Sequence, residues 1–443
     1  MINRKYITGK YNPYKINEIL FDNRCGYWKL IPDSFHKNNT FWLIVLSLFS
    51  VVKCFASALF IPRKNSVKDL FDNTILFVLP TLNNQRSLQK VIGKVKSEKG
   101  NVRVSSQYFY SKFHVAWSAL LYLPFLWKEF QKHTKDEKRM TLHNIYAFVL
   151  TPGLVSSYFR IMKKYKPECV LLSNDHIYLT KSLALVCEDL GIKTIYVQHA
   201  SVSYAFPELH FSYSFLDGMD SYLKYTAEGK KCRGDIVLLG AARYDDLSLY
   251  RINRNSEERR CVGVAINEID DNAITNDFCN EILMNYPDVK IKIRSHPGMK
   301  NNPFVFDNKD RIIYTCAADE NIMDYLDSID FQVAGDSGVH FDAVIGGVNT
   351  VAYNFSKSAF SDNYEYIKRG FIKFASDVPL VFEYSQYQPD VSMVRFFDES
   401  YLKSYSGKCS QIIADFILNG YSLDYLKTNY GLTKDNGCYI IQN

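Results

Sequence analysis

Side chains able to move a proton or hold an anion recur in this chain wherever a short apolar run stops. "ECVLLSND" runs into Asp175 and His176, a carboxylate beside an imidazole, and "KTIYVQHA" runs into His199, trailed by Ser201 and Ser203. An imidazole that titrates near neutrality can take the proton of an attacking hydroxyl. The Asp175–His176 pair and His199 compete for that role. Further on, "VKIKIRSHPG" presents Arg294 and His296, and "FQVAGDSGVHFDAV" presents Gly335, Asp336, Ser337 and Gly338, then His340 and Asp342. Backbone N–H groups in a small polar loop ahead of a helix, joined by the Ser337 hydroxyl, form an anion site. Arg294 and His296 add cationic donors, which suits a diphosphate or phosphodiester better than a neutral ligand. In "LPTLNNQRS" the amides of Asn83 and Asn84, with Arg86, suit the hydroxyls of a sugar.

Taken alone, each stretch also has a plainer reading. Arg294 can satisfy a neighbouring carboxylate while His296 packs on Pro297. Asp336 can cap the helix that follows it. His199 can be structural, and His340 and Asp342 can face solvent as readily as a crevice.

What must position these groups is an alternation of short apolar runs with amphipathic helical stretches, the sequence form of parallel sheets with crossover helices. "TILFVLPT", "ECVLLSND", "KTIYVQHA" and "IVLLGAARYDDL" read as strands of a first domain; "RRCVGVAINE", "VKIKIRSHPG", "RIIYTC", "FQVAGDSG" and "TVAYNFS" read as strands of a second. The charged linker "NRNSEERR" separates them. The expected organisation is an N-terminal segment over 1–70, a first Rossmann-like domain over 71–255 and a second over 256–443. Ligands of such open sheets sit beyond the carboxyl ends of the strands, where the polar clusters fall. "SDNYEYIKRGF", Ser361 to Phe371, either reaches over a bound donor or is helix surface, and "KEFQKHTKDEKR", Lys128 to Arg139, reads as a solvated helix end.

With 443 residues the chain has room for two cores, and 47% hydrophobic against 23% charged residues argue against disorder over most of its length. Its 53 basic and 47 acidic residues give a net charge of +6, too mild and too dispersed for a nucleic-acid binder. The ten cysteines form no CxxC or Cys/His group at metal spacing, so reduced thiols, no metal and no cofactor are expected. "MINRKYITGKYNPYK" is not the start of a signal peptide. Phe41 to Ile61 is long enough to cross a bilayer but places Ser47, Ser50, Lys53 and Ser57 on one helical stripe. It therefore spans, is buried, or lies in a membrane interface with Lys37, Arg63 and Lys64 at its ends. The expected location is cytoplasmic or peripheral on the inner face of the cell membrane.

"VQHASVSYAFPEL", "LLGAARYDDL", "IRSHPG" and "GDSGVHFDAVIGGVNTVAYNF", in this order over Val170 to Phe355, resemble the GT-B glycosyltransferases of bacterial surface-polysaccharide assembly. They are similar also to the CDP-glycerol glycerophosphotransferases. The resemblance implies two Rossmann-like domains facing across a cleft, the N-terminal one for the acceptor and the C-terminal one for a nucleotide-sugar donor. It makes His199 the base, Arg294 and His296 the groups on the donor phosphates, and Ser337 with Gly338 the phosphate loop, with "RYDDL" at the domain junction. The partners it implies are a nucleotide sugar and a glycan or lipid-linked glycan. Ala200 stands where a Gly often follows that His, and Arg294 where the phosphotransferases often have Lys. The expected reaction is an inverting, metal-independent glycosyl transfer; CDP-alditol phosphate transfer and non-catalytic nucleotide-sugar binding are the alternatives.

Overall fold

The computed structural model describes residues 74–442 apart from 107, 144, 254–259 and 300–308, together with 41–42, 44–45, 48–53 and 55–56. The chain divides into two compact units, Met1–Leu216 with Tyr222–Leu238 and Gln411–Gln442, and Asp217–Ser221 with Leu239–Ser410.

In the first unit the apolar runs become β1 (Ile75–Val78), β2 (Val102–Ser105), β3 (Cys169–Leu172), β4 (Lys193–Val197), β5 (His210–Leu216) and β6 (Arg233–Leu238). Between them run α1 (Leu82–Glu98), α2 (Lys112–Lys132), α3 (Lys135–His143), α4 (Ile145–Tyr165), α5 (Tyr178–Leu190) and, from Tyr222 onward, α6 (Met219–Thr226). Thr81 starts α1 directly after β1 by accepting the Asn84 N–H at 3.2 Å, the usual remedy for an orphan N-terminal donor. The central strands β1 and β3 are buried at every residue, as parallel strands covered on both faces must be, whereas the edge strand β2 is half exposed. Long and apolar enough to cross a membrane, α4 instead packs its buried face on α2 and α5 as a core helix. A Cβ at Gly153 would lie 2.4 Å from the Val115 carbonyl oxygen, so only glycine lets α4 cross α2 this closely.

The second unit repeats the scheme. Its strands are β7 (Cys261–Ile266), β8 (Lys290–Ser295), β9 (Ile312–Cys316), β10 (Phe331–Ala334), β11 (Asn349–Tyr353) and β12 (Lys373–Ala375). Its helices are α7 (Asp245–Asn253), α8 (Asn272–Asn285), α9 (Ile322–Asp327), α10 (Val339–Ile345), α11 (Val378–Tyr384) and α12 (Val391–Phe397). Strand alternation splits the core in two. Val262, Val264 and Ile266 pack with Phe278 of α8, while Cys261 packs with Tyr325 of α9 and Phe341 of α10, so helices cover both faces of the sheet.

Finally α13 (Cys409–Leu418), α14 (Leu423–Tyr430) and the hairpin β13 (Leu432–Asp435) and β14 (Cys438–Ile441) close the chain. The division expected at residue 255 is displaced: the second unit takes over at Leu239, and residues 411–442 belong to the first unit. The physical reason is pairing. β14 adds to β6 in parallel, and Tyr222 donates to the Asn436 carbonyl at 2.8 Å.

The sheet orders are β13-β14-β6-β5-β4-β3-β1-β2 and β12-β11-β10-β7-β8-β9, and every pair except β13–β14 is parallel. Both units are therefore α/β and Rossmann-like. Each order reverses once, between β1 and β3 in one sheet and between β7 and β10 in the other. At such a point the crossovers leave to opposite faces and open a crevice at the strand ends. The described residues within 41–53 are helical, and Phe41, Trp42, Leu48, Phe49 and Val52 are exposed. The rest of the expected apolar helix, with Ser47, Ser57, Lys37, Arg63 and Lys64, lies outside the described residues.

Candidate functional site

At the reversal of the first sheet the loops after β1 and β3 meet. Asn84, fully buried, donates from Nδ2 to the Ser173 carbonyl at 3.4 Å, so the two loops are tied across the point where the crevice opens. Its Oδ1 and the Ser173 hydroxyl are buried without a hydrogen-bond partner among the described residues, an arrangement that costs free energy unless a ligand or water completes it. Asn83 and Arg86, expected beside it as acceptor groups, are exposed on α1.

Two residues beyond Ser173 stands Asp175, 2% exposed. Its Oδ1 lies 3.0 Å from His176 Nδ1, and its Oδ2 accepts the Tyr225 hydroxyl at 2.6 Å. Tyr196 completes the chain through its hydroxyl, 3.1 Å from that of Tyr225. Burial alone would push the Asp175 carboxyl up. Hydrogen bonding and charge from His176, the Tyr225 hydroxyl and the imidazole of His199 together hold it below the usual carboxylate range. With Nδ1 donating to Asp175, the His176 ring keeps Nε2 as an acceptor, and Phe206 meets that ring edge-on at 5.1 Å. Lys230, itself buried, donates to the Tyr204 carbonyl at 2.7 Å and so anchors the loop that carries His199, Ser201 and Phe206. Asp175, His176 and His199 are thus brought to one place. Tyr225 joins them from α6, fifty residues away in sequence, where no local pattern announces it.

The reversal of the second sheet brings together the loop after β7 and Gly335–Gly338 after β10. The environment is acidic. Burial pushes Asp270 up to about 6 against the pull of the Asn267 N–H, and Asp336 adds to the rise. Asp336 is itself raised by burial and accepts both the backbone N–H and the side-chain amide of Asn363, at 3.0 and 2.8 Å. It therefore ties down the 361–371 stretch and is not the cap of α10, whose N-cap position is Gly338 and which has no side-chain cap. The Ser337 hydroxyl accepts the Val339 N–H at 3.4 Å. Asp270 follows a strand as the other candidates do, and that same signal in "VAINEIDD" would have found it.

His340, expected among the donor-binding groups, is turned inward. It is 1% exposed, Nδ1 lies 2.6 Å from the Thr350 hydroxyl and Nε2 2.9 Å from the Gly335 carbonyl, and burial lowers it to about 4. Period and handedness put its position on the sheet side of a short helix, so it shapes the Gly335 loop from behind. His296 is exposed at the end of β8, with Nδ1 3.4 Å from Glu268 Oε1. Arg294, two residues earlier, is drawn onto the sheet face: it lies over the Tyr325 ring at 5.3 Å and donates to the Glu320 carbonyl at 3.3 Å. Its Nε is buried without a hydrogen-bond partner among the described residues.

A buried charge network backs this side of the second unit. Arg243 grips Asp217 with two parallel hydrogen bonds, 2.9 and 2.6 Å, and stacks on Tyr244 at 4.3 Å. Burial works against the Arg243 charge, but Asp217 holds it well above its ordinary value. Tyr244 bonds Asp342, whose carboxyl also feels Arg243 and Arg294. "RYDDL" accordingly acts inside the second unit, where Asp245 also accepts the N–H groups of Cys409 and Ser410 at 2.9 and 2.8 Å. Among the described residues no group of three or more His, Cys, Asp or Glu is placed to hold a metal ion.

No protein-family model matches the sequence, and no curated protein matches it. Solved structures similar in shape include a UDP-GlcNAc 2-epimerase from Neisseria meningitidis bound to UDP-GlcNAc, at 15% identity and a TM-score of 0.48 over 78% of this chain and 100% of that one. A UDP-N-acetylglucosamine 2-epimerase from Rickettsia bellii gives 12% and 0.47 over 80% and 98%. The glycotransferase of kitacinnamycin gives 11% and 0.48 over 79% and 99%. The fold assignment rests on the two strand orders.

Proposed function

We propose that the protein is a GT-B glycosyltransferase that moves a sugar from a nucleotide-sugar donor to a hydroxyl of a growing surface glycan, with inversion and without a metal. The observation that carries this reading is the Asp175–His176 pair at the reversal of the first sheet, with His199 beside it. Asp175 orients the ring and stabilises the imidazolium that forms when Nε2 takes the acceptor proton. His199 acts on the same Asp175 carboxyl and is the alternative imidazole for that proton. The orphaned Asn84 and Ser173 oxygens suit acceptor hydroxyls.

In the second unit Arg294 and His296 suit the donor phosphates, Arg294 through its unmatched Nε–H. Asp270 and Asp336 suit hydroxyl groups rather than phosphate, because carboxylates accept from them. The leaving nucleotide phosphate develops charge as the glycosidic bond breaks, and fixed cationic donors stabilise that charge more in the transition state than in the ground state.

The test is incubation of the full chain with UDP-, GDP-, CMP- and dTDP-linked sugars and a glycan acceptor, with product analysis. A new glycosidic bond, lost in His176→Ala, supports the reading. A new phosphodiester from CDP-glycerol replaces it with alditol phosphate transfer, and nucleotide binding without any product replaces it with a non-catalytic binding protein.

A further inference from the structure

A surface helix of a soluble protein keeps a polar outer face. α2 does not. Its inner face, with Val115, Ala119, Tyr122 and Leu126, is buried against the unit, yet its outer face is apolar as well. Phe113, Trp117, Leu120, Leu121, Leu123 and Trp127 are 45–63% exposed, and Pro124 among them is exposed too. Spacings of three and four put them along one side of the helix. A continuous strip of this kind differs from the single apolar residues scattered on any protein surface.

The charges on the same helix stand at its ends. Lys112 precedes the strip, and Lys128 and Lys132 follow it, all exposed. The one acidic residue of α2, Glu129, is buried and accepts Lys132 Nζ at 2.7 Å. A strip from Phe113 to Trp127 is about 21 Å long at 1.5 Å per residue. That is too short for a hydrocarbon core of about 30 Å, and the inner face of α2 is already occupied. Tryptophan within the strip and lysine at its ends are the composition of a helix lying in a membrane interface.

We propose that the outer face of α2 docks the first unit on the anionic surface of a phospholipid bilayer. Phe113, Trp117 and Trp127 enter the acyl boundary, while Lys112 and Lys128 meet headgroup phosphates. The charge complementarity selects lipid over a second copy of the chain, whose same face would bring lysine to lysine. This inference does not depend on the transferase reading, and it is distinct from the N-terminal apolar segment because it is carried by a helix of the folded unit.

The experiment uses the full chain with Trp28→Phe and Trp42→Phe, which leaves Trp117 and Trp127 as the only tryptophans. It is mixed with vesicles of phosphatidylcholine and phosphatidylglycerol whose acyl chains carry bromine, and tryptophan emission is compared with that in unbrominated vesicles. The expected result is quenching of roughly half the emission or more; partitioning, read by co-sedimentation with the vesicles, is weakened about tenfold by Lys112→Glu with Lys128→Glu, and more by Trp117→Glu with Trp127→Glu. Circular dichroism checks that each variant is folded. Co-sedimentation without quenching would overturn the proposal, because the chain would then be held by another segment. So would a failure to sediment, and a dimer in light scattering that Trp127→Glu turns into monomer would reassign the face to contact between copies.

Discussion

The two sheet reversals differ in how their ionisable groups are satisfied. In the first unit a buried carboxylate is fully engaged, by His176 and Tyr225, and is held ionised. In the second, Asp270 and Asp336 are pushed towards the neutral acid, and Arg294 and His296 are spread between a sheet face and an exposed strand end. The same topology thus yields a fully hydrogen-bonded carboxylate in one unit and a looser set of ionisable groups in the other. Proton transfer requires fixed geometry before substrate arrives, whereas a binding surface can complete its hydrogen bonds with the ligand.

That contrast can be broken at its strong end first. His176→Ala should lower turnover by about two to four orders of magnitude while leaving nucleotide affinity near that of the wild type. Matched losses in kcat and in nucleotide binding would mean that the first unit holds a binding group there and not a base. His199→Ala measured beside it decides which imidazole takes the proton, the larger loss marking the base.

The next effect concerns the buried charges behind the second site. Asp217→Ala removes the carboxylate that Arg243 grips with two hydrogen bonds and should destabilise the fold by about 3–5 kcal/mol in chemical denaturation. A loss below about 1 kcal/mol would show that the pair is solvated.

Asp398 gives a pH signature of the same unit. It is 1% exposed, Oδ1 accepts the Ser400 N–H and hydroxyl at 2.9 and 2.6 Å, and burial pushes it up to about 6. Its folded value lies above the ordinary value of about 3.9, so the folded state binds this proton more tightly. Its stabilising contribution is full below about pH 4 and declines as pH rises through about 6, by up to about 3 kcal/mol. Asp398→Asn should therefore gain stability relative to the wild type as pH rises from 4 to 7, read as the difference between the two denaturation profiles. A flat difference would place the carboxyl in water.

The smallest expected effect falls on Arg294. Arg294→Ala should weaken binding of the cognate nucleotide by about 1.5–3 kcal/mol, the worth of a charged hydrogen bond, seen as a lost thermal shift in a panel of UDP, CDP, CMP, GDP and dTDP. An unchanged shift would leave Arg294 as a prop for Tyr325 and Glu320 and move donor recognition to His296.

Much of this was readable along the chain. "ILFV", "CVLL", "KTIYV", "CVGVAI" and "FQVA" announce buried parallel strands because a strand covered on both faces must be apolar at every residue. Polar clusters at their ends mark strand termini, which is why Asp175, His176, His199, Arg294 and His296 were candidates. Less was readable where a residue's environment comes from elsewhere. Nothing near Tyr225 indicates that its hydroxyl meets Asp175, and nothing in "GDSGVHFDAV" tells His340, engaged by Thr350 and Gly335, from an exposed one.

The sequence by itself determined the elements, their alternation and the chemistry available at each strand end, because periodicity and turn residues act over a few neighbours. Only the tertiary structure decided the order of the strands, and with it the two reversals that set Asn84 beside Ser173 and Asp270 beside Gly335. It also decided that residues 411–442 return to the first sheet, and that α2 turns an apolar face outward. Pairing and burial are made between segments far apart in the chain. Their free energy depends on which surfaces meet, and a local pattern does not specify that.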